Sequence, residues 1–280
     1  MRKLLTSLCT VILLAGCGTG TATMENEKSN EDEVVARENE VQESKAEVNE
    51  AELTEEQPVE DVPEVLEPQY RINENHWGVE PIENAPENVV LLTIDDAPDK
   101  HAIQMAETLK EKDALAIFFV NGHFIDTDEE KQVLKQIHDM GFPIGNHTMS
   151  HTKLTDLTEE QQKDEIVKLN DEIEAIIGER PRYFRAPFGI NSDYSKQVVA
   201  DENMLLMNWS YGYDWNKEYM NAEAIANIMV NTELLRNGSN LLMHDREWTA
   251  AALGQIIDGL REKGYEMLDP SLLKTPQIKE

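Results

Sequence analysis

Between residues 89 and 268 the chain alternates short apolar, β-branched or aromatic runs with amphipathic stretches, and this alternation constrains the fold more than any other feature. The runs fall at 89–94, 116–120, 142–145, 183–186, 204–209, 240–243 and 265–268; the stretches between them fall at 101–112, 129–140, 158–177, 193–201, 222–235 and 249–263. Brief apolar strands separated by helices of this length define parallel βαβ units, because a parallel sheet is covered on both faces and buries uninterrupted apolar strands. The punctuation agrees. Gly141, Gly178 and Gly264 follow three of the helical stretches as C-terminal stops, and Thr158 with Gln161 makes a capping box. Seven strands and six helices fit one α/β domain, either a closed or nearly closed barrel or an open doubly wound sheet. No glycine-rich phosphate cradle stands at a strand-to-helix turn, so nucleotide binding lacks its usual signature.

The region before this domain is different in kind. Arg2 and Lys3 lead into an apolar run ending Leu14-Ala15-Gly16-Cys17. A basic start, a short apolar core and small residues before the break indicate a secretory signal. The Leu-Ala-Gly-Cys ending resembles a bacterial lipobox, which implies cleavage before Cys17 and a diacylglyceryl lipid on its thiol. The expectation is a signal peptide over 1–16 and a protein anchored by that lipid on the outer face of the cell membrane. Cys9 is then lost with the signal and Cys17 is consumed by the lipid, leaving the fold without a thiol or disulfide. Residues 25–67 carry 17 acidic side chains against Lys28, Arg37 and Lys45, so nearly half of the net charge of −30 lies there. Such a segment, poor in aromatics, buries too little apolar surface to fold and reads as an extended acidic linker over 17–68, with the folded domain at 69–275. The acidic balance also argues against a nucleic-acid partner, since phosphates are held by basic patches.

Catalytic groups of parallel α/β folds gather at the C-terminal ends of the strands. Here those ends read Thr93-Ile94-Asp95-Asp96, then Asn146-His147-Thr148-Met149-Ser150-His151, then Arg185-Ala186-Pro187, Tyr213-Asp214-Trp215 and His244-Asp245. A four-residue spacing puts His147 and His151 on one face of a helical turn, able to bind a cation with a carboxylate as third ligand. Neighbours in a strand point to opposite faces, so Asp95 and Asp96 are expected to hold different roles, or one of them to cap the next helix.

Taken in order, TIDDAP (93–98), HTMSH (147–151), RAPF (185–188), Asp214-Trp215 and LMH (242–244) resemble the five motifs of the polysaccharide deacetylases of the NodB-homology type, carbohydrate esterase family 4. The resemblance spans about 89–270 and implies a distorted (β/α) barrel, often of seven strands. It makes Asp96, His147 and His151 ligands of one divalent metal, Zn²⁺ or a similar ion such as Co²⁺. Asp95 then matches the general base and Arg185 the residue that orients it. His244 matches the general acid, its ring held by Asp214, and the backbone N–H of Phe188 matches an oxyanion donor. Trp215 and Leu242 match walls of the pocket for the acetyl methyl. The implied activity is removal of N-acetyl groups from an aminosugar polymer, with peptidoglycan N-acetylglucosamine the leading substrate beside a membrane anchor. An O-acetyl esterase and a non-catalytic glycan-binding wall lipoprotein are the alternatives; no protein partner is indicated. Three positions depart from the pattern. Ala97 replaces a usual Gly, Phe188 a usual Tyr, and Tyr211 the first Asp of Asp-x-x-Asp-Trp.

Overall fold

The computed structural model describes residues 67–276. The signal, lipid-anchor and linker expectations, Cys17 included, lie outside the described residues. A short antiparallel hairpin, β1 (Tyr70–Ile72) and β2 (Val79–Pro81), comes first. Seven strands follow: β3 (Val89–Ala97), β4 (Ile117–Val120), β5 (Ile144–Asn146), β6 (Tyr183–Phe184), β7 (Leu205–Leu206), β8 (Ser239–His244) and β9 (Glu266–Met267). They alternate with six helices: α1 (Ala102–Glu111), α2 (Asp128–Asp139), α3 (Glu159–Ile177), α4 (Asp193–Asp201), α5 (Ala222–Asn231) and α6 (Glu247–Glu262). Every pairing among β3–β9 is parallel, so the seven expected strands and the barrel-like α/β class are both present.

The barrel is distorted in a definite way. Six strands run in the order β7-β6-β5-β4-β3-β8, while β9 joins only the first two residues of β3. No ladder joins β7 to β8; a single parallel bridge between Tyr211 and Leu241 curls the sheet round on itself. The Ser210 N–H donates to the Asn240 carbonyl and the Leu242 N–H to the Tyr211 carbonyl across this seam.

Strand periodicity sorts the core into layers. On β3, Val90, Leu92 and Ile94 face the helices together with Phe118, Leu241 and Met243. The opposite face carries Val89 and Leu91, which meet Ile117, Phe119, Tyr183 and Met207 inside the barrel. Tyr70 and Val79 of the hairpin and Leu273 close this inner cluster at the base. Thr93 and Asp95 continue the inward face upward, so the barrel interior turns from apolar to polar along one strand. The helices are cut where the sequence indicates. Thr158 and Gln161 form the capping box of α3, and Gly178 ends that helix in the left-handed conformation at φ 82°.

Candidate active site

Asp95, at the top of the inward face of β3, is paired in register with His244 of β8. Its Oδ1 accepts a 2.6 Å bond from Arg185, which is fully buried in the barrel axis. The same guanidinium donates to Thr93 Oγ1 and to the Asn208 carbonyl at 2.8 Å, and lies 4.4 Å above the Phe119 ring. Arg185 is therefore held on several sides and can move Asp95 only as a unit. The second oxygen of Asp95 faces His147 Nε2 at 3.6 Å.

Strand alternation does not separate the two aspartates as the sequence suggests. The β3–β4 register shifts between Ile94 and Ala97, and Asp96 has a φ of 57°. That left-handed residue turns its side chain back into the site, so both carboxylates converge there. Strained backbone of this kind persists only where its surroundings enforce it, and it is concentrated at functional sites. Thr148, His151 and Phe188 share it, at φ 70°, 56° and 59°.

His147 and His151 are not on a helical turn either. His147 prolongs β5, its N–H bonded to the Val120 carbonyl, and residues 148–153 form a loop before the short 3₁₀ turn Leu154–Asp156. The loop is pinned by Glu165, whose carboxylate accepts from the Ser150 N–H and hydroxyl at 2.8 and 2.7 Å. His147 Nδ1 lies 2.7 Å from the Arg185 carbonyl. A carbonyl accepts, so Nδ1 carries the proton and Nε2 is left as the free electron pair aimed at the site. His151 Nε2 stands 3.5 Å from Asp96 Oδ1, and one donor atom each from Asp96, His147 and His151 lies within 4.8 Å of the others.

This donor set fits a divalent cation: one carboxylate and two imidazoles with electron pairs convergent, as in catalytic sites that keep open positions. Burial, with the neighbouring His147, holds His151 below the ordinary imidazole value against the pull of Asp96 and Asp95. Burial pushes Asp96 upward, but the imidazoles around it, His244 first, and the Arg246 guanidinium outweigh this and hold the carboxyl below its usual value. Among the described residues no other group of three such side chains converges this closely.

His244 lines the pocket from the neighbouring strand. Its Nδ1 is 2.7 Å from Asp214 Oδ1, while Asp214 Oδ2 accepts from the His244 N–H and from Thr249 Oγ1. Burial lowers the affinity of His244 for its proton; the hydrogen bond and charge of Asp214, with the charges of Asp95 and Asp96, more than offset this and raise it. A pocket of about 380 Å³ lies between these groups, bounded by Phe188, Trp215 and Leu242. Phe188 and Trp215 stand 60% and 45% exposed at its mouth, large apolar side chains left in water.

Of the ten domain residues singled out in the sequence, eight line this pocket, and Arg185 and Asp214 stand directly behind it. Two contributors are new. Trp209 lines the pocket, and the period of two from Leu205 through Met207, both on the inner cluster, would have found it. Arg246 donates to Asp96 Oδ2 at 2.8 Å; it lies outside every strand and no periodicity marks it. Among the departures, Ala97 is buried with a negative φ, so a methyl is tolerated there. Tyr211 points away from the pocket into the core, its hydroxyl donating to the Met229 carbonyl at 2.7 Å. Trp248 packs behind Asp214, donating to its carbonyl at 2.8 Å.

A carboxylate and a carboxylate-held imidazole lining one pocket at the strand ends suit general acid–base chemistry. Residues 82–206 match the family model described as polysaccharide deacetylase. A peptidoglycan-N-acetylglucosamine deacetylase of Bacillus cereus is 30% identical over 196 residues, 67% of this chain and 88% of that protein. Among solved structures, the peptidoglycan deacetylase PdaC from Bacillus subtilis superposes with a TM-score of 0.58 at 29% identity, over 65% of this chain and 87% of that one. A CE4-family pseudoenzyme from Bacillus anthracis gives 0.59 at 28% identity, over 64% and 63% respectively. The chain belongs to the polysaccharide deacetylase family and is a polysaccharide N-deacetylase.

Proposed function

We propose that the protein removes N-acetyl groups from peptidoglycan N-acetylglucosamine in a divalent-metal-dependent hydrolysis, held at the outer membrane surface by a lipid on Cys17. The observation that carries the reaction is that Asp95 and His244, a base and an acid, line one pocket from paired positions on neighbouring strands. Asp96, His147 and His151 would hold the ion. When bound, it supplies Lewis-acid polarisation of the amide carbonyl and acidifies water. Asp95 Oδ2, left free by Arg185, accepts the proton of the attacking water. The Phe188 N–H donates to the oxygen on which charge develops, in a residue held at φ 59°. His244 gives its proton to the departing amine, and Asp214 both orients the ring and stabilises its charged form. Trp215 and Leu242 enclose the acetyl methyl.

The substrate assignment rests on two supports: relatives named for peptidoglycan deacetylation, and a lipobox-like sequence that would keep the enzyme beside the wall. The pseudoenzyme among the structural neighbours means that family membership and activity are separate properties. Here Asp95, Asp96, His147, His151, Arg185 and His244 are all present and convergent, which a glycan binder has no need of. The test is acetate release from N-acetylglucosamine oligomers and from purified peptidoglycan, with Zn²⁺ or Co²⁺ added. Release from the glucosamine residues of peptidoglycan supports the proposal. Release only from O-acetylated polymers, or none from any, removes it.

A further inference from the structure

Each aspartate of the pair has its own arginine. Arg185 takes Oδ1 of Asp95 and leaves Oδ2 facing His147. Arg246 takes Oδ2 of Asp96 at 2.8 Å and leaves Oδ1 facing His151 at 3.5 Å and His147 at 4.0 Å. Arg246 is itself anchored: its other terminal nitrogen donates to the Asp245 carbonyl at 3.2 Å and lies 3.9 Å from Asp99. It opens α6 without capping it by any side-chain bond, and its side chain is 35% exposed. Nothing in the core or in the helix start requires an arginine there. The bond to Asp96 is what this position does.

A carboxylate oxygen that accepts from a guanidinium is a poorer and sterically hindered donor to a cation, so Asp96 offers chiefly Oδ1. We infer that Arg246 is a positioning residue that restricts Asp96 to single-oxygen coordination and so sets which divalent ion the site prefers. Four-coordinate zinc suits one oxygen and two imidazoles with an open position. Manganese favours six ligands and more oxygen, and gains from a carboxylate free to chelate through both atoms. The positive charge of Arg246 opposes every divalent ion alike, so it cancels when two ions are compared. The selectivity ratio isolates the geometric effect.

The inference rests on Asp96, His147 and His151 being the ligand set, and the test separates the two. Isothermal titration with Zn²⁺ and with Mn²⁺ is run on the wild-type chain, Arg246→Ala and Arg246→Lys, with thermal melting without metal as the folding control. In Arg246→Ala the ratio of the manganese to the zinc dissociation constant should fall by about tenfold, the lower end of what loss of a metal ligand's outer partner does. Arg246→Lys keeps the charge but loses the planar fork, and should fall between. An unchanged ratio in Arg246→Ala overturns the inference and leaves the ligand set standing. A wild-type chain that binds neither ion overturns both.

Discussion

At the scale of single residues the site works by division of labour within pairs of like groups. Asp95 and Asp96 are neighbours in sequence, yet one oxygen of each is tied to a different arginine, and the free oxygens face different imidazoles. They should therefore fail differently. Asp95→Asn keeps shape and hydrogen bonding to Arg185 but cannot accept the proton, so acetate release should drop by about 10²-fold or more while metal titrates normally. Asp96→Asn loses an anionic donor. Metal affinity itself should fall, with activity partly recovered at high metal concentration. Titration calorimetry beside an acetate assay reads both; the opposite assignment of losses would exchange the roles. His244 adds a pH signature. Its proton affinity is raised in the fold, chiefly by Asp214 acting against burial, so the acid form persists above the ordinary value of about 6.5. Activity on the amide should be full below the raised pKa and fall as pH rises through it. His244→Asn should erase that basic limb, and slow amide cleavage far more than that of an activated aryl acetate, whose leaving group needs no proton. Equal losses on both would make His244 structural.

At the scale of elements, what was legible in the sequence was whatever periodicity encodes. The seven strands and six helices were, because each buries a continuous or striped apolar surface; Leu242 and His244 came from the motif series, and both line the pocket from β8. The convergence of Asp96 with Asp95 was not, since it depends on one left-handed residue and a register shift that no pattern records. The helical turn inferred for His147 and His151 fails for the same reason: two left-handed residues and the Glu165 clamp shape that loop, and spacing alone does not distinguish such a loop from a turn. The hairpin went unseen because strands of three residues carry too little alternation. Tyr211, where the motif has an aspartate, had no role legible from its place in the series; the structure puts it at the seam that joins β8 to the chain after β7, bonded to α5. Tyr211→Phe should then lower stability by about 1 kcal/mol, the worth of a buried hydrogen bond, or roughly 2–4 °C in melting temperature for a domain of this size. Its kcat on N-acetylglucosamine oligomers should stay at the wild-type value. A changed kcat with an unchanged melting temperature would return Tyr211 to the catalytic machinery.

At the scale of the whole molecule the barrel has two unlike ends. The hairpin seals the base, where Gln69 donates to the Leu272 carbonyl and Tyr70 bridges Leu273, while the pocket opens at the strand ends on the far side. The described chain thus begins at the end remote from the chemistry. A lipid at Cys17 is proposed to hold this arrangement at a membrane, two or more acyl chains sufficing for stable anchoring at roughly 0.8 kcal/mol per buried CH₂. Cys17→Ser removes the acyl acceptor and nothing that the barrel uses. The variant should lose metabolic lipid labelling and leave the membrane fraction, yet match the wild type per molecule on soluble oligomers. A chain starting at residue 67 keeps the hairpin and the inner cluster intact and should match it too. Labelling that persists in Cys17→Ser would refute the anchor. Labelling lost together with activity on soluble oligomers would instead mean that the N-terminal region takes part in building the site.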